Sequence, residues 1–205
     1  LFRYNEQGLT LFNHENTPLP FESSTNNPLL LDEENRLWLG TYSGLFRLDD
    51  EVWLDFSTST SGFPQGVIDA IGRSADGNIW IIVTEWANGS LNGSLVEIKH
   101  DDSFIIHNFP ESIDKKTDFC FIKFLPSFTP KIHIGTDDVG LWEYDFSSWE
   151  RIPTDQSKLS RNNIRQIFID CATSYISTGL NYGLQKIIPS SPSKKENGFL
   201  PKPRI

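Results

Sequence analysis

The chain has 205 residues and a mass of 23.4 kDa, enough for one sizeable core or two small ones. Its 18 Lys and Arg stand against 27 Asp and Glu, a net charge of -9, which excludes bulk neutralisation of a phosphate backbone and with it a nucleic-acid partner. No run approaches the roughly 20 apolar residues of a spanning helix, so the segment is expected to make no membrane contact of its own. With 38% hydrophobic and 13% aromatic residues it can still bury a core.

Residues 1–17 hold two short apolar elements, Leu1-Phe2-Arg3-Tyr4 and Gly8 to His14. From about residue 26 a longer unit follows: Leu29 to Leu31, then Leu37-Trp38-Leu39-Gly40-Thr41, Gly44 to Leu48, and Val52 to Phe56. The same succession returns as Val67 to Ile71, Ile79 to Thr84, Ser94 to Ile98 and Phe104 to Phe109. It returns again as Phe119 to Phe124, Ile132 to Thr136, Gly140-Leu141-Trp142-Glu143-Tyr144 and Trp149 to Ile152. A fourth copy has Ile164 to Ile169, Ser174 to Gly179 and Gly183 to Ile187. Trp38, Trp80, His133 and Tyr175 occupy one repeat position at spacings of 42, 53 and 42.

In Gly44 to Leu48, Ser94 to Ile98, Gly140 to Tyr144 and Gly183 to Ile187 apolar and polar residues largely alternate with the two-residue period of a half-buried strand, and helical periodicity is not sustained anywhere. Asp32-Glu33-Glu34-Asn35 and Ser74-Ala75-Asp76-Gly77-Asn78 supply the turn residues that hairpins need. Four antiparallel strands per unit at a period near 42 predict an all-β fold, a β-propeller of about four four-stranded blades. A β-sandwich predicts no such self-similarity. The expected boundaries are a partial blade at 1–17, blades at about 26–58, 66–110, 117–153 and 162–188, and a Pro, Ser and Lys-rich tail at 189–205.

The repeated aromatic has a packing role: a large ring at a fixed place fills the gap between twisted sheets. Trp38, Gly40, Gly44, Asp76, Gly77, Trp80, Gly135, Gly140, Trp142 and Gly183 are therefore read as the structural blade motif.

These residues resemble the two-component regulator propeller repeat over about residues 26–188. Asp76-Gly77-Asn78-Ile79-Trp80-Ile81 matches its first half, and Leu37 to Asp49 matches its second half. The resemblance implies the periplasmic or extracellular sensor region of a hybrid two-component system, part of a larger propeller whose parent is membrane-anchored. It also implies a ligand-sensing role linked to carbohydrate or nutrient signals. Ser74 to Trp80 is also similar to the Asp-box turn of sialidase-type propellers, one residue shorter, and that turn is structural even there.

The first residues match the third and fourth strands of a unit, so the chain reads as starting in mid-blade. Either Gly8 to His14 supplies the missing outer strand of the last blade and closes a ring, or the chain is a fragment of a longer propeller; the resemblance favours the fragment. The start at Leu1, without Met or a signal sequence, agrees.

Binding is expected on the loops that join second to third strands and fourth strands to the next first strand, which gather on one face around the channel. The second unit's loop, Thr84 to Gly93, is about seven residues longer than Thr41-Tyr42-Ser43 and pairs a carboxylate, Glu85, with a flat apolar face, Trp86. The alternative is a longer hairpin with Trp86 folded onto a neighbouring blade. Tyr42, Asp137, Asp138, Asn181 and Tyr182 complete a polar, aromatic rim for an oligosaccharide or protein ligand. Adjacent aspartates on a strand point oppositely, so a solvated turn is preferred to calcium there, and neither metal nor cofactor is expected.

Cys120 and Cys171 lack metal-ligand spacing, which leaves their redox state open. His14, His100 and His107 are scattered, and His133 stands in for a core Trp. No nucleophile elbow, paired-His zinc motif or phosphate loop is present, so no catalytic residue is assigned. A polysaccharide lyase or glycosidase, and a purely structural scaffold, are the competing functions. Asn88-Gly89-Ser90 and Asn92-Gly93-Ser94 fit both an N-glycosylation acceptor and a turn.

Overall fold

The computed structural model describes residues 1–21, 28–87, 90–110, 113, 119–125, 131–137, 139–152, 164–170, 173–178 and 184–187. An N-terminal hairpin, β1 (Phe2–Asn5) with β2 (Gly8–Leu11), precedes a sheet of β3 (Leu29–Leu31), β4 (Leu37–Thr41), β5 (Gly44–Asp49) and β6 (Val52–Asp55). The second full sheet is β7 (Val67–Arg73), β8 (Ile79–Ala87), β9 (Ser90–Ile98) and β10 (Phe104–Asn108). The third is β11 (Phe119–Leu125), β12 (Lys131–Thr136), β13 (Leu141–Tyr144) and β14 (Trp149–Ile152). Last come β15 (Ile164–Asp170), β16 (Thr173–Thr178) and β17 (Leu184–Ile187), three strands among the described residues.

Each sheet is an antiparallel meander in chain order. The first strands of successive sheets touch, β3 with β7, β7 with β11 and β11 with β15. That places them innermost and sets the sheets as consecutive blades around an axis.

Burial follows the repeat. Trp38 and Trp80 are each 1% exposed. Trp38 joins Leu45, Phe56, Ile68, Ile81 and Val96 in the core between the first and second full blades, and Trp80 joins Leu95, Ile122, Ile132 and Ile134 between the second and third. Each Trp therefore leans on the blade that follows it. The motif glycine ahead of the repeat Thr leaves room for that approach: a Cβ on Gly40 would lie 2.7 Å from Ile68 Cγ2 of the next inner strand.

One sequence expectation needs correction. The strand expected to run from Val52 to Phe56 stops at Asp55, whose side chain accepts from Thr58 N at 3.1 Å and caps a single helical turn, α1 (Phe56–Ser59). The turn drives Phe56 edge-on against Trp38, ring centroids 5.1 Å apart, and lets Ser57 Oγ accept from Leu45 N at 2.7 Å. Gly44, at φ 133°, is required beneath it, because a Cβ there would meet Ser57 Oγ at 2.6 Å.

Among the described residues β2 pairs with β1 and not with the last blade. The reason lies in packing: Phe12 and Leu19 bury against Leu39, Phe46 and Leu48, and Leu1 and Phe12 exchange backbone hydrogen bonds of 2.9 and 3.0 Å. The hairpin is thereby held against the first full blade. Gly183 and the tail at 189–205 lie outside the described residues.

Candidate functional site

The loop end of the blades is built from the repeat Thr. Thr41 Oγ1 donates to Gly44 O at 2.9 Å and accepts from Ser43 N at 3.1 Å, which closes the tight turn carrying Tyr42. Thr136 does the same with Gly140 O at 2.7 Å and Val139 N at 3.2 Å. In the second blade this closure is absent. The ladder continues past Thr84↔Gly93 through Glu85↔Asn92, Trp86↔Leu91 and Ala87↔Ser90. The three added pairs extend the arm by about 10 Å at the usual rise per residue. The long loop expected here is a strand-paired arm, and Thr84 Oγ1 is released to donate to Asp69 Oδ2 at 2.8 Å.

Asp69 is one of three residues that the sequence reading missed. The first strands of the second and third full blades and of the last, three-stranded sheet each break register near their loop end, between Ile68 and Ala70, Phe119 and Phe121, and Ile164 and Gln166. The residues skipped are Asp69, Cys120 and Arg165. Bulges of this kind re-aim a side chain and cluster near functional sites. Arg165 reaches Asp137 Oδ2 at 3.1 Å and Cys120 Sγ at 4.0 Å, so it ties the third blade's loop to the fourth blade's inner strand. A bulge leaves only a weak trace in sequence, since one inserted residue barely disturbs a short alternation.

Of the expected rim residues, Tyr42 is 63% exposed and Glu85 is exposed. Asp137 is engaged with Arg165. Trp86 lies on the added arm, while Asp138, Asn181 and Tyr182 lie outside the described residues, as do Asn88, Gly89 and Cys171. The loop ends of the blades thus carry Tyr42, Glu85, Asp69, Thr84, Cys120, Asp137 and Arg165, of which Thr84 contacts Asp69, and Arg165 contacts Asp137 and Cys120. Among the described residues, no three His, Cys, Asp or Glu side chains group as a metal site. No described helix is long and apolar enough to cross a membrane.

The histidines have packing partners. His133 Nε2 lies 2.9 Å from Glu143 Oε2, and Lys131 also pairs with Glu143. The hydrogen bond with His133 holds the Glu143 carboxyl below its ordinary range, with Lys131 adding to it against the cost of burial. His107 stacks on Trp80 at 4.9 Å, with Nδ1 3.1 Å from Tyr144 Oη.

At the opposite end, the turns carry the Asp of the motif. Burial works to raise the Asp32 carboxyl, but bonds from Trp38 Nε1 and Arg36 Nε, both 2.7 Å, outweigh it and hold the group below its ordinary value. Ser74 is its counterpart in the second blade, six residues before Trp80. The shorter Ser side chain bonds Asn78 O instead, and Trp80 Nε1 is buried without a partner.

This arrangement has solved counterparts. Two structures of the extracellular domain of BT4673 from B. thetaiotaomicron, described once as a one component and once as a hybrid two component system, match with TM-scores of 0.60 and 0.67. Their sequences are 20% and 18% identical to this one, over 85% and 91% of this chain and 22% and 24% of theirs. The chain is a propeller segment. PorZ, an essential surface component of the type-IX secretion system of Porphyromonas gingivalis, matches with a TM-score of 0.63 at 13% identity, over 88% of the segment and 28% of PorZ. The segment spans about a quarter of the length of these structures. No family model matches the chain, and no curated protein matches it significantly.

Proposed function

We propose that this propeller segment is a noncatalytic, ligand-sensing or protein-binding part of a longer extracytoplasmic protein, and that its loop end engages an oligosaccharide or a protein partner. The observation that carries the reading is the β8–β9 arm, which adds three strand pairs beyond the point where the first blade turns and presents Glu85 to solvent. Burying the repeat core does not need that extension. Rigid scaffolds carry their binding residues on such projections. The likeness to the extracellular domain of a two component system and to a surface component supports an extracytoplasmic, signal-linked setting.

The test is a glycan and protein-partner binding screen on the protein, followed by Glu85→Ala, Trp86→Ala and Tyr42→Ala. Binding at least tenfold weaker in these variants, at unchanged stability, supports the reading, since a central contact is worth about 1.4 kcal/mol or more. A confirmed ligand held equally well by all three overturns the assignment of the rim. Turnover of a polysaccharide by the protein would replace the sensor with an enzyme.

A further inference from the structure

The N-terminal hairpin repeats the outer half of a full blade. Arg3 lies opposite Thr10 as Arg47 lies opposite Leu54, so Leu1, Arg3 and Phe12 stand where Leu45, Arg47 and Phe56 stand one unit later. Their contacts repeat as well. Arg3 lies over the Phe12 ring and pairs with Glu51 on the outer turn of the first full blade, and Arg47 lies over the Phe56 ring and pairs with Asp102 on the outer turn of the second. Arg47 also lies 5.1 Å from the ring centroid of Trp38, which stands opposite it on the inner neighbour of β5. Among the described residues β1 has no inner neighbour. Leu1 and Phe12 exchange backbone hydrogen bonds, so by the alternation of an antiparallel ladder Phe2 and Tyr4 turn their N–H and C=O groups away from β2, toward a free edge.

Beside that edge lies a cavity of about 250 Å³. Four residues of its wall, Leu1, Phe12, Leu29 and Leu39, correspond by register to Leu45, Phe56, Ile71 and Ile81, which all pack with Trp38 in the core between the first and second full blades. The cavity thus stands where the next unit holds its ring. Its inner wall is bare. Leu29 is 49% exposed, whereas Ile122, at the same place in the third full blade, is 6% exposed in a core with Trp80. Leu31 is 55% exposed, whereas its counterpart Phe124 packs on Trp80 at 5.9 Å.

We propose that the free edge of β1 and this cavity form a docking surface for a β-hairpin of the repeat's own pattern, with apolar-Trp-apolar-Gly-Thr in its second strand, contributed by the longer protein. The second strand pairs with β1 and sets its Trp opposite Arg3, with the ring in the cavity. The first strand lies against Leu29, as β7 lies against Ile122 at Gly72. Such a ring buries on the order of 150 to 250 Å², and the ladder satisfies an edge that otherwise invites pairing. A small apolar ligand would fill the cavity but leave the edge unpaired. The inference takes from the proposed function only that the chain is part of a longer protein, and the rim has no role in it.

The experiment is amide hydrogen exchange, followed by NMR, on the protein and on the protein extended ahead of Leu1 by a second copy of residues 28–44, whose last residue then joins Leu1 as Gly44 joins Leu45. Exchange at Phe2 and Tyr4 is expected to slow by about tenfold or more in the extended protein. The gain is expected to vanish when the Trp of the added copy is replaced by Ser, and again when Leu29→Asp is made in β3. No slowing at these two amides overturns the proposal. So does slowing that survives both changes, the mark of an edge that pairs without a socket, or slowing that grows with protein concentration, the mark of two molecules pairing edge to edge. Glu85→Ala leaves the slowing unchanged, so failure of the rim and failure of this surface are told apart.

Discussion

Asp32→Ser would convert the first blade's turn into the second's and measure what the Trp–carboxylate bond contributes. Asp32 is 5% exposed and accepts from Trp38 Nε1 at 2.7 Å, Arg36 Nε at 2.7 Å, Arg36 N at 2.8 Å and Glu34 N at 3.1 Å. Serine keeps part of the local turn, as Ser74 does, so the loss centres on Trp38, left with a buried N–H lacking an acceptor. Hydrogen bonds to charged groups contribute about 1.5–3 kcal/mol, so the expected loss is about 2–3 kcal/mol. At a typical urea dependence the unfolding midpoint falls by about 1 M. The readout is urea titration followed by Trp fluorescence, with Trp38→Phe and the double variant completing a cycle. The depressed Asp32 pKa sets a second signature. Its stabilisation is present above the ordinary carboxylate range and lost as pH falls through the depressed value, and Asp32→Ser removes that pH dependence. A midpoint shift under about 0.2 M with unchanged slope, or additive single variants, would refute the reasoning.

The converse change, Ser74→Asp, offers Trp80 Nε1 the acceptor it lacks and is expected to stabilise by about 1 kcal/mol in the same titration, less than Asp32 contributes because Asp76 lies two residues away. Gly40→Ala pushes a methyl into Ile68 and Pro28, each at 2.7 Å, and should cost about 1–3 kcal/mol by urea titration. His100 bonds Asp76 O at 3.0 Å within its own blade and Glu34 at 3.2 Å across the blade boundary, and these contacts raise its pKa. Its contribution is therefore full below about pH 6.5 and lost as pH rises through the raised value, so His100→Gln should flatten the thermal stability profile there. Glu143→Ala removes the partner of buried His133 and should destabilise by about 1–3 kcal/mol above the ordinary carboxylate range, with the difference shrinking toward acid pH.

The blade pattern was readable because the repeat writes the same packing problem several times: Trp38 and Trp80 recur where each sheet meets the next, and Gly40-Thr41 recurs because one residue must admit a neighbour and the other must close a turn. What the sequence concealed depended on single residues. Asp55 ends β6 early by capping α1, and Asp69, Cys120 and Arg165 shift their ladders by one residue, changes too small to disturb an alternation of apolar positions. The second blade's arm was visible as added length, but length alone did not distinguish a loop from a continued ladder.

Among the described residues, the interstrand ladders stop at the edge of each sheet, and neighbouring blades meet through packed side chains and a few polar contacts rather than through a backbone ladder. Backbone ladders resist shear strongly, whereas greasy contacts tolerate small sliding without an orphaned N–H or carbonyl. The softest degree of freedom in this architecture is thus the tilt of one slab relative to the next. A molecule wedged between slabs can therefore move both ends of the stack without unzipping any strand.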